Sequence, residues 1–158
     1  MNYLLIAGAP SVGKSQSIYR LVRALLASNK FFVMVGNFPS TFCDFKIILE
    51  GSFDNKSYKR ILINSATDTT AIIEDLRNFY VDNFYVDMVI SSIRDYNFYP
   101  RSDFYNIMHL NPENDFILEI PLAKITRRGS NFKTALNWYE RTIDELIIHT
   151  LTNQPYDI

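Results

Sequence analysis

Residues 8–15 read Gly8-Ala9-Pro10-Ser11-Val12-Gly13-Lys14-Ser15, which matches the pattern G-x-x-x-x-G-K-[S/T] at every required position. We call this stretch the glycine loop. The apolar run at residues 3–7 directly precedes it and is typical of a buried strand. A helix is predicted to begin at Lys14 and to end near Ser28-Asn29, with one apolar face formed by Ile18, Leu21, Val22, Leu25 and Leu26. Strand, loop and helix together predict one α/β unit.

The glycine loop has the chemistry of a phosphate site. Gly8 and Gly13 permit backbone conformations that a Cβ forbids, so that successive N–H groups can point at an anion beside the helix N-terminus. Lys14 is predicted to face the β- and γ-phosphates of a nucleotide, and the Ser15 hydroxyl to ligate Mg²⁺. The residues predicted to contact the nucleotide are Gly8, Ala9, Pro10, Ser11, Val12, Gly13, Lys14, Ser15 and Gln16. The alternative is a glycine-rich turn that caps a helix.

The composition of the chain limits the binding partners and the cellular setting that we expect for it. The chain has 158 residues, with 17 acidic and 16 basic side chains, so we expect neither a nucleic acid nor a membrane as its partner. The single cysteine, Cys43, excludes an internal disulfide and is interpreted as a small apolar filler in a cytoplasmic protein. We expect no signal peptide and no membrane-spanning segment. Aromatic residues make up 15% of the chain, which favours bulky core packing over a base-stacking surface.

Strands and helices are predicted to alternate along the whole chain. The predicted strands cover residues 3–7, 31–35, 45–49, 60–64, 86–91 and 116–120, and the polar stretch between the third and fourth is interpreted as a hairpin connection. Further helices are predicted after Thr70, from Ser102, and from Phe132 to Ile147, the last with the cleanest apolar period. This pattern predicts a single α/β domain over residues 1–158. It should be a three-layer sandwich with a mostly parallel sheet, the strand before the glycine loop central, and helices on both faces.

The carboxyl ends of the strands are where such sheets bind ligands. Asp68 follows the fourth strand, which itself ends in Asn64. It is a candidate for the magnesium-side acid and for the cap of the next helix, and one residue could serve in both roles. Arg94 after the fifth strand, and Arg127 and Arg128 after the last, are candidate catalytic cations for a transferring phosphoryl group. Lys124 is a candidate neighbour of a base, and Thr67, Thr69 and Thr70 are weaker magnesium candidates.

Residues 1–30 resemble the P-loop NTPase superfamily, and two of its branches compete. Residues 4–15 are similar to the loops of nucleotide and small-molecule kinases, which commonly run G-A-P-x-x-G-K. In that branch Arg127-Arg128, followed by Tyr139-Glu140-Arg141-Thr142, resembles the arginine-bearing lid and the helix after it. The resemblance implies that Arg127 and Arg128 close over the phosphates. The chain has no recognisable acceptor-site motif of those kinases.

The second branch is the small GTPases. Residues 44–51 and 59–68 resemble their antiparallel strand pair and switch region, with Thr41 at a switch-like place, and Leu122-Ala123-Lys124 resembles their base loop. However, Ser92-Ile93-Arg94-Asp95 stands where N-K-x-D is expected and keeps only the aspartate. We therefore expect ATP rather than GTP as the nucleotide.

These patterns predict a protein that binds ATP, or another nucleoside triphosphate, with Mg²⁺. The main hypothesis is a phosphotransferase or NTP hydrolase with a small-molecule acceptor that the sequence does not identify. The first alternative is a nucleotide-dependent switch or assembly ATPase with slow turnover and a protein partner. The second is a domain that binds phosphate and performs no chemistry.

Overall fold

The computed structural model describes residues 1–52, 58–83, 85–125 and 131–158, which contain six strands and four helices. In chain order these are β1 (Asn2–Ala7), α1 (Lys14–Ala27), β2 (Phe31–Val35), β3 (Lys46–Gly51), β4 (Lys59–Asn64), α2 (Thr70–Asp82), β5 (Met88–Ile93), α3 (Tyr99–Ile107), β6 (Phe116–Pro121) and α4 (Phe132–Leu151). Each predicted strand and helix is present, with ends shifted by a few residues. The α/β class is therefore confirmed.

The sheet is mixed rather than mostly parallel, which corrects the prediction. Its strand order is β2-β3-β4-β5-β1-β6. The pairs β4–β5, β5–β1 and β1–β6 are parallel, whereas β2–β3 and β3–β4 are antiparallel. The antiparallel β3–β4 pair confirms the predicted hairpin, although its connection at 53–57 lies outside the described residues. Strand β1 is interior, between β5 and β6, but it is not the middle strand.

Two hydrophobic clusters contain alternate residues of the strands. In β1, Leu4 and Ile6 lie in one cluster with buried residues of α1 and α4. Tyr3, Leu5 and Ala7 lie in the other, with buried residues of α2 and α3. Successive side chains of a strand point to opposite sides, so a strand buried on both sides needs an almost continuous apolar sequence. This requirement explains the apolar run before the glycine loop.

Helix α4 departs from its predicted burial. Ile143 and Ile147 are buried, but Phe132 is 37% and Leu146 is 44% exposed. The helix packs against α1, and Arg20 of α1 forms ion pairs with Asp144 at 2.7 Å and with Glu140 at 3.3 Å. A clean apolar period therefore overstated how much of this helix is covered.

Two smaller expectations also need correction. Cys43 is exposed, so it is not a core filler. The helix predicted from Ser102 begins at Tyr99, which places Pro100 in its first turn. Proline is tolerated there because its missing N–H would have no helical partner. In the part of the chain that the structure describes, no helix has the length and apolar character needed to cross a membrane.

Candidate functional site

Strand order brings three connections close to the glycine loop. The carboxyl end of β1 lies between those of its parallel neighbours β5 and β6. The segments after these two strands, which begin at Arg94 and Leu122, are therefore immediate neighbours of the loop. The segment after β4 lies one strand further away, beyond β5. Asp68 must reach across the end of β5 to take part in the same site.

The backbone of the glycine loop takes conformations with positive φ at three positions. Gly8 has φ 150°, Ser11 has φ 60°, and Gly13, the residue before α1, has φ 96°. A Cβ at Gly8 would come within 2.8 Å of Val12 Cγ2 and 3.2 Å of the Leu122 carbonyl oxygen, so only glycine fits there. The strained conformation at Ser11 was not predicted, because serine carries no sequence signal for it. The loop is thus shaped by its own backbone.

Lys14 is buried at the N-terminus of α1, with a relative exposure of 6%. Its ammonium group donates hydrogen bonds to the carbonyl oxygens of Gly8 at 2.7 Å and Ala9 at 2.8 Å. Burial lowers the pKa of Lys14, and the charge of Arg94 lowers it further, while Asp68 and Asp95 act in the opposite direction. Lys14 is therefore a cation held by neutral oxygens, which makes an incoming anion a favourable partner.

Ser15, the predicted magnesium ligand, donates its hydroxyl proton to the Ser65 carbonyl oxygen at 2.7 Å. This bond leaves the oxygen lone pairs available to a cation. Magnesium usually takes only one or two protein oxygens and completes its shell with water and substrate phosphates. One hydroxyl from Ser15 and one carboxylate from Asp68 fit that donor set. The described residues contain no group of three or more His, Cys, Asp or Glu side chains arranged for a metal ion.

Asp68 and Arg94 form an ion pair at 2.6 Å, with side chains 54% and 13% exposed. The alternative role of Asp68 as a helix cap is wrong, because Thr69 caps α2 by accepting a hydrogen bond from the Ile72 amide at 3.3 Å. The weaker candidates are also engaged elsewhere: Thr67 is buried, and Thr70 donates to Asp103 at 2.5 Å.

Lys14, Ser15, Asp68 and Arg94 border one open cavity of about 400 Å³, which we call the glycine-loop cleft. Its lining residues are Pro10, Ser11, Gly13, Lys14, Ser15, Gln16, Phe42, Asp68 and Arg94. Of the remaining predicted contacts, Gly8 and Ala9 hold Lys14, and Val12 packs against the core instead of lining the cleft. The structure thus brings most of the predicted residues together.

Phe42 is the cleft residue that the sequence prediction missed. It belongs to the connection between β2 and β3, which the hydroxyl of Tyr19 holds by donating to the carbonyl oxygens of Pro39 and Ser40 at 3.2 and 3.1 Å. The Tyr19 ring also stacks on Phe38 at 4.9 Å between centroids. A sequence signal existed in the three phenylalanines at 38, 42 and 45, but an apolar residue in a loop does not reveal which surface it covers.

Asn64, which ends the fourth strand where a magnesium-side acid is expected, has a structural role. It is 3% exposed and donates to the Ala66 carbonyl at 2.7 Å and to the Ser91 hydroxyl at 3.0 Å. Thr67 donates to the Ser92 carbonyl at 3.2 Å. These bonds join the end of β4 to the end of β5, and so fix the segment that carries Asp68. The polar pair Ser91-Ser92 in an apolar strand was the available signal.

The predicted base neighbour Lys124 is not among the residues that line the glycine-loop cleft. Lys124 lines a second cavity of about 200 Å³, together with Gly13 and Gln16. The segment before it is held to α4, because the Ala123 amide donates to the Tyr139 hydroxyl at 2.6 Å. Arg127 and Arg128, the predicted lid arginines, lie outside the described residues.

Comparisons of the chain with protein-family models, with curated proteins and with solved structures find no match.

Proposed function

We propose that this chain binds the phosphates of a nucleoside triphosphate in the glycine-loop cleft and transfers or hydrolyses the terminal phosphoryl group. The observation that carries the proposal is the position of Lys14, a buried cation at the N-terminus of α1. Its hydrogen-bond partners within the described part of the chain are the two carbonyl oxygens of Gly8 and Ala9. The helix dipole and the backbone N–H groups of the loop add positive potential at the same place. A triphosphate supplies the negative charge that this arrangement lacks.

Each residue of the glycine-loop cleft has its own role in the proposed binding of the triphosphate. Lys14 exchanges its carbonyl partners for phosphate oxygens, and the backbone of Pro10 to Gly13 surrounds the anion. When Mg²⁺ is bound, it neutralises charge on the phosphates and orients them for attack. Ser15 offers its hydroxyl oxygen as a ligand. Asp68 is the carboxylate that would hold the ion through water, for which it would have to share its oxygens with Arg94 or release that ion pair.

Arg94 is the described arginine best placed for catalysis. Its side chain lines the cleft and is mostly buried, so its charge is poorly screened by solvent. A guanidinium that meets the transferring phosphoryl group stabilises charge that develops in the transition state. Arg127 and Arg128 remain proposed lid residues on the strength of the sequence alone.

A second candidate function is a nucleotide-dependent switch with slow turnover. The observation in its favour is that Phe42, on the long connection between β2 and β3, contributes to the cleft wall. A ligand that contacts this segment can change its position and so alter a surface that a protein partner recognises. For both candidate functions we propose ATP as the nucleotide. Of the N-K-x-D motif by which small GTPases recognise guanine, residues 92–95 keep only Asp95.

The three-layer arrangement, the single domain and the cytoplasmic location are also proposals. The division of the core into one cluster with α1 and α4 and another with α2 and α3 supports a three-layer sandwich in a single domain. The free thiol of Cys43 supports a reducing cytoplasm.

The proposal is tested by thermal denaturation and calorimetry with ATP and GTP, each with and without Mg²⁺. A ligand present at a hundredfold its Kd adds about 2.7 kcal/mol to the free energy of unfolding. We expect Lys14→Ala to weaken triphosphate binding by roughly thirtyfold or more, because it removes one partner of a buried charge pair. Lys133→Ala, at an exposed position of α4, is the matched control and should bind as the parent does.

If Lys14→Ala binds both triphosphates as tightly as the parent, the proposed phosphate site is wrong. Release of inorganic phosphate from bound ATP separates the two candidate functions. Turnover that rises with a small acceptor supports a phosphotransferase, and turnover that stays slow until a protein is added supports a switch.

A further inference from the structure

A third cavity, of about 600 Å³ and so larger than the glycine-loop cleft, lies beside α3. We call it the aromatic cavity. Its wall is formed by Tyr96, Asn97, Phe98, Tyr99, Arg101, Ser102 and Tyr105. Tyr96 is 86% exposed and Tyr99 is 62% exposed, so these rings are displayed rather than packed. Contiguous exposed apolar side chains usually mark a binding surface, and the volume is that of a small-molecule site.

Arg101 is fixed in this cavity as a flat stacking surface. Its guanidinium carbon lies 5.6 Å from the centroid of the Tyr96 ring and 5.5 Å from that of Tyr105. It forms an ion pair with Glu119 at 2.5 Å and donates to the Arg94 carbonyl oxygen at 3.3 Å. Held by these bonds, the guanidinium and the neighbouring rings can stack on a planar ligand without first losing their own rotational freedom.

The charge of the cavity selects a neutral ligand. Arg101 is the one charged residue in the described wall, and the carboxylate of Glu119 compensates it. Glu119 also accepts a hydrogen bond from the Tyr105 hydroxyl at 2.8 Å. A site that binds a nucleic-acid strand needs a row of uncompensated cations along the phosphate backbone, and this wall does not have one.

Asn97 supplies the polar selectivity. Its amide is exposed at the cavity, and among residues 1–52, 58–83, 85–125 and 131–158 it has no hydrogen-bond partner. A side-chain amide offers one acceptor and two donors in a plane, which is the complement of the edge of a nucleobase. A base that stacks on tyrosine rings and pairs its edge with an amide is a recurrent mode of base recognition.

We propose that the aromatic cavity is a second ligand site, which binds the base of an uncharged nucleoside between the Tyr96 and Tyr99 rings with its edge at Asn97. The site uses residues other than those of the glycine-loop cleft, so it goes beyond the proposed function and stands without it. The two sites are adjacent, because the Arg101 guanidinium bonds to the main chain of Arg94, whose side chain lines the cleft.

Calorimetric titration with adenosine, guanosine, cytidine and uridine tests this proposal. We expect at least one of them to bind saturably to the parent protein. Tyr96→Ala should weaken that binding roughly fivefold or more, as for the loss of a single base-stacking ring, whereas Tyr96→Phe should stay within about twofold. Trp138→Ala removes an exposed aromatic side chain from α4, where Trp138 is 60% exposed, and should have no effect on nucleoside binding. Because Tyr96 is exposed, its replacement should not unfold the protein, so weaker nucleoside binding would not result from misfolding. The melting temperature of each variant checks this.

Lys14→Ala separates the two sites. Its nucleoside binding should equal that of the parent even if it no longer binds triphosphate, and absent triphosphate binding in the parent would count against the proposed function alone. The second site is overturned if no nucleoside binds, if Tyr96→Ala binds as the parent does, or if Lys14→Ala loses nucleoside binding. A ten-nucleotide single strand that binds through Tyr96 more tightly than any nucleoside also overturns it, in favour of a nucleic-acid surface.

Discussion

The glycine-loop cleft and the aromatic cavity meet at Arg94, yet they are built by different means. The cleft is shaped by backbone: positive φ angles at Gly8, Ser11 and Gly13, and carbonyl oxygens that hold Lys14. The cavity is shaped by side chains that stand out from a loop and from the first turns of α3. The cleft carries uncompensated positive charge, whereas the cavity is nearly neutral.

This difference indicates how each region tolerates change. A site made of backbone depends on a few residues whose conformation no other residue adopts, and most of its side chains can vary. A site made of exposed rings can lose one ring and keep its shape, since the backbone beneath does not depend on it. Substitutions should therefore affect one region without the other, and the following experiments test that separation.

Gly8→Ala should have the largest effect and should be confined to the cleft. The new Cβ would lie 2.8 Å from Val12 Cγ2, at a φ of 150° that alanine rarely adopts. We expect a loss of about 1–3 kcal/mol in the free energy of unfolding, measured by chemical denaturation, together with loss of triphosphate binding. Nucleoside binding at the aromatic cavity should persist in the folded variant.

Gly13→Ala is the control for this change. A Cβ there meets only Gln16 Oε1 at 3.8 Å, so the variant suffers the backbone strain at φ 96° without a steric clash. Its loss of stability should be smaller than that of Gly8→Ala. Equal stability of Gly8→Ala and the parent would show that the loop conformation is not held as described.

Asp68→Asn should have an intermediate effect, limited to the role of magnesium. The change keeps the size of the side chain and removes the charge that pairs with Arg94 at 2.6 Å. Because Asp68 is 54% exposed, the pair itself adds little stability. We expect the gain in ATP affinity on adding Mg²⁺ to fall about tenfold, equivalent to about 1.4 kcal/mol.

The matched control is Asp75→Asn on α2, where the carboxylate is 68% exposed and pairs with Lys46 outside the cleft. Titrations of ATP with and without Mg²⁺ give the comparison. The same magnesium dependence in the Asp68 and Asp75 variants would remove Asp68 from the proposed site.

The pH dependence of Lys14 should give the smallest effect. Its pKa in the folded protein is lowered below 10.5, so the unfolded chain binds the proton more tightly between these two values. The free energy of unfolding of the parent should therefore rise with pH in that window, relative to Lys14→Met, by at most about 1.4 kcal/mol per pH unit. Urea denaturation of both proteins from neutral pH to about pH 10 measures this difference. A difference that falls with pH contradicts the burial of a charged Lys14.

The α/β class and the elements followed from the apolar patterns, and the polar stretch after β3 predicted its antiparallel pairing with β4. The antiparallel pairing of β3 with β2 was not predicted. An apolar run such as that of β2 has the same composition whichever way it points. The useful signal was the connection at 36–45, which is too short to hold the crossover that parallel neighbours need. The exposure of Leu146 had no local signal, since the apolar face of α4 is covered only as far as its neighbours extend.

The candidate site was likewise predictable only in part: its local loop was predicted, and its contacts between distant segments were not. The glycine loop could be identified residue by residue because the phosphate contacts proposed for it come from neighbours in sequence. Contacts between distant segments were not predicted: Ser15 with the Ser65 carbonyl, Asp68 with Arg94, and Phe42 with the cleft. The aromatic cavity was missed because aromatic content was interpreted as core packing, and the exposure of Tyr96 depends on tertiary structure.

The two carbonyl bonds of Lys14 have a consequence for the rates of binding. They keep the ammonium group in place before any ligand arrives, so the loop pays little ordering entropy at the moment of encounter. Association should then be governed by diffusion and by the local positive potential, and should slow as salt is added. Nucleotides that differ only in their base carry the same charge and should therefore bind at similar association rates. Nucleotides should differ instead in their dissociation rates. Each must break its own set of contacts before Lys14 can again bond to the carbonyl oxygens of Gly8 and Ala9.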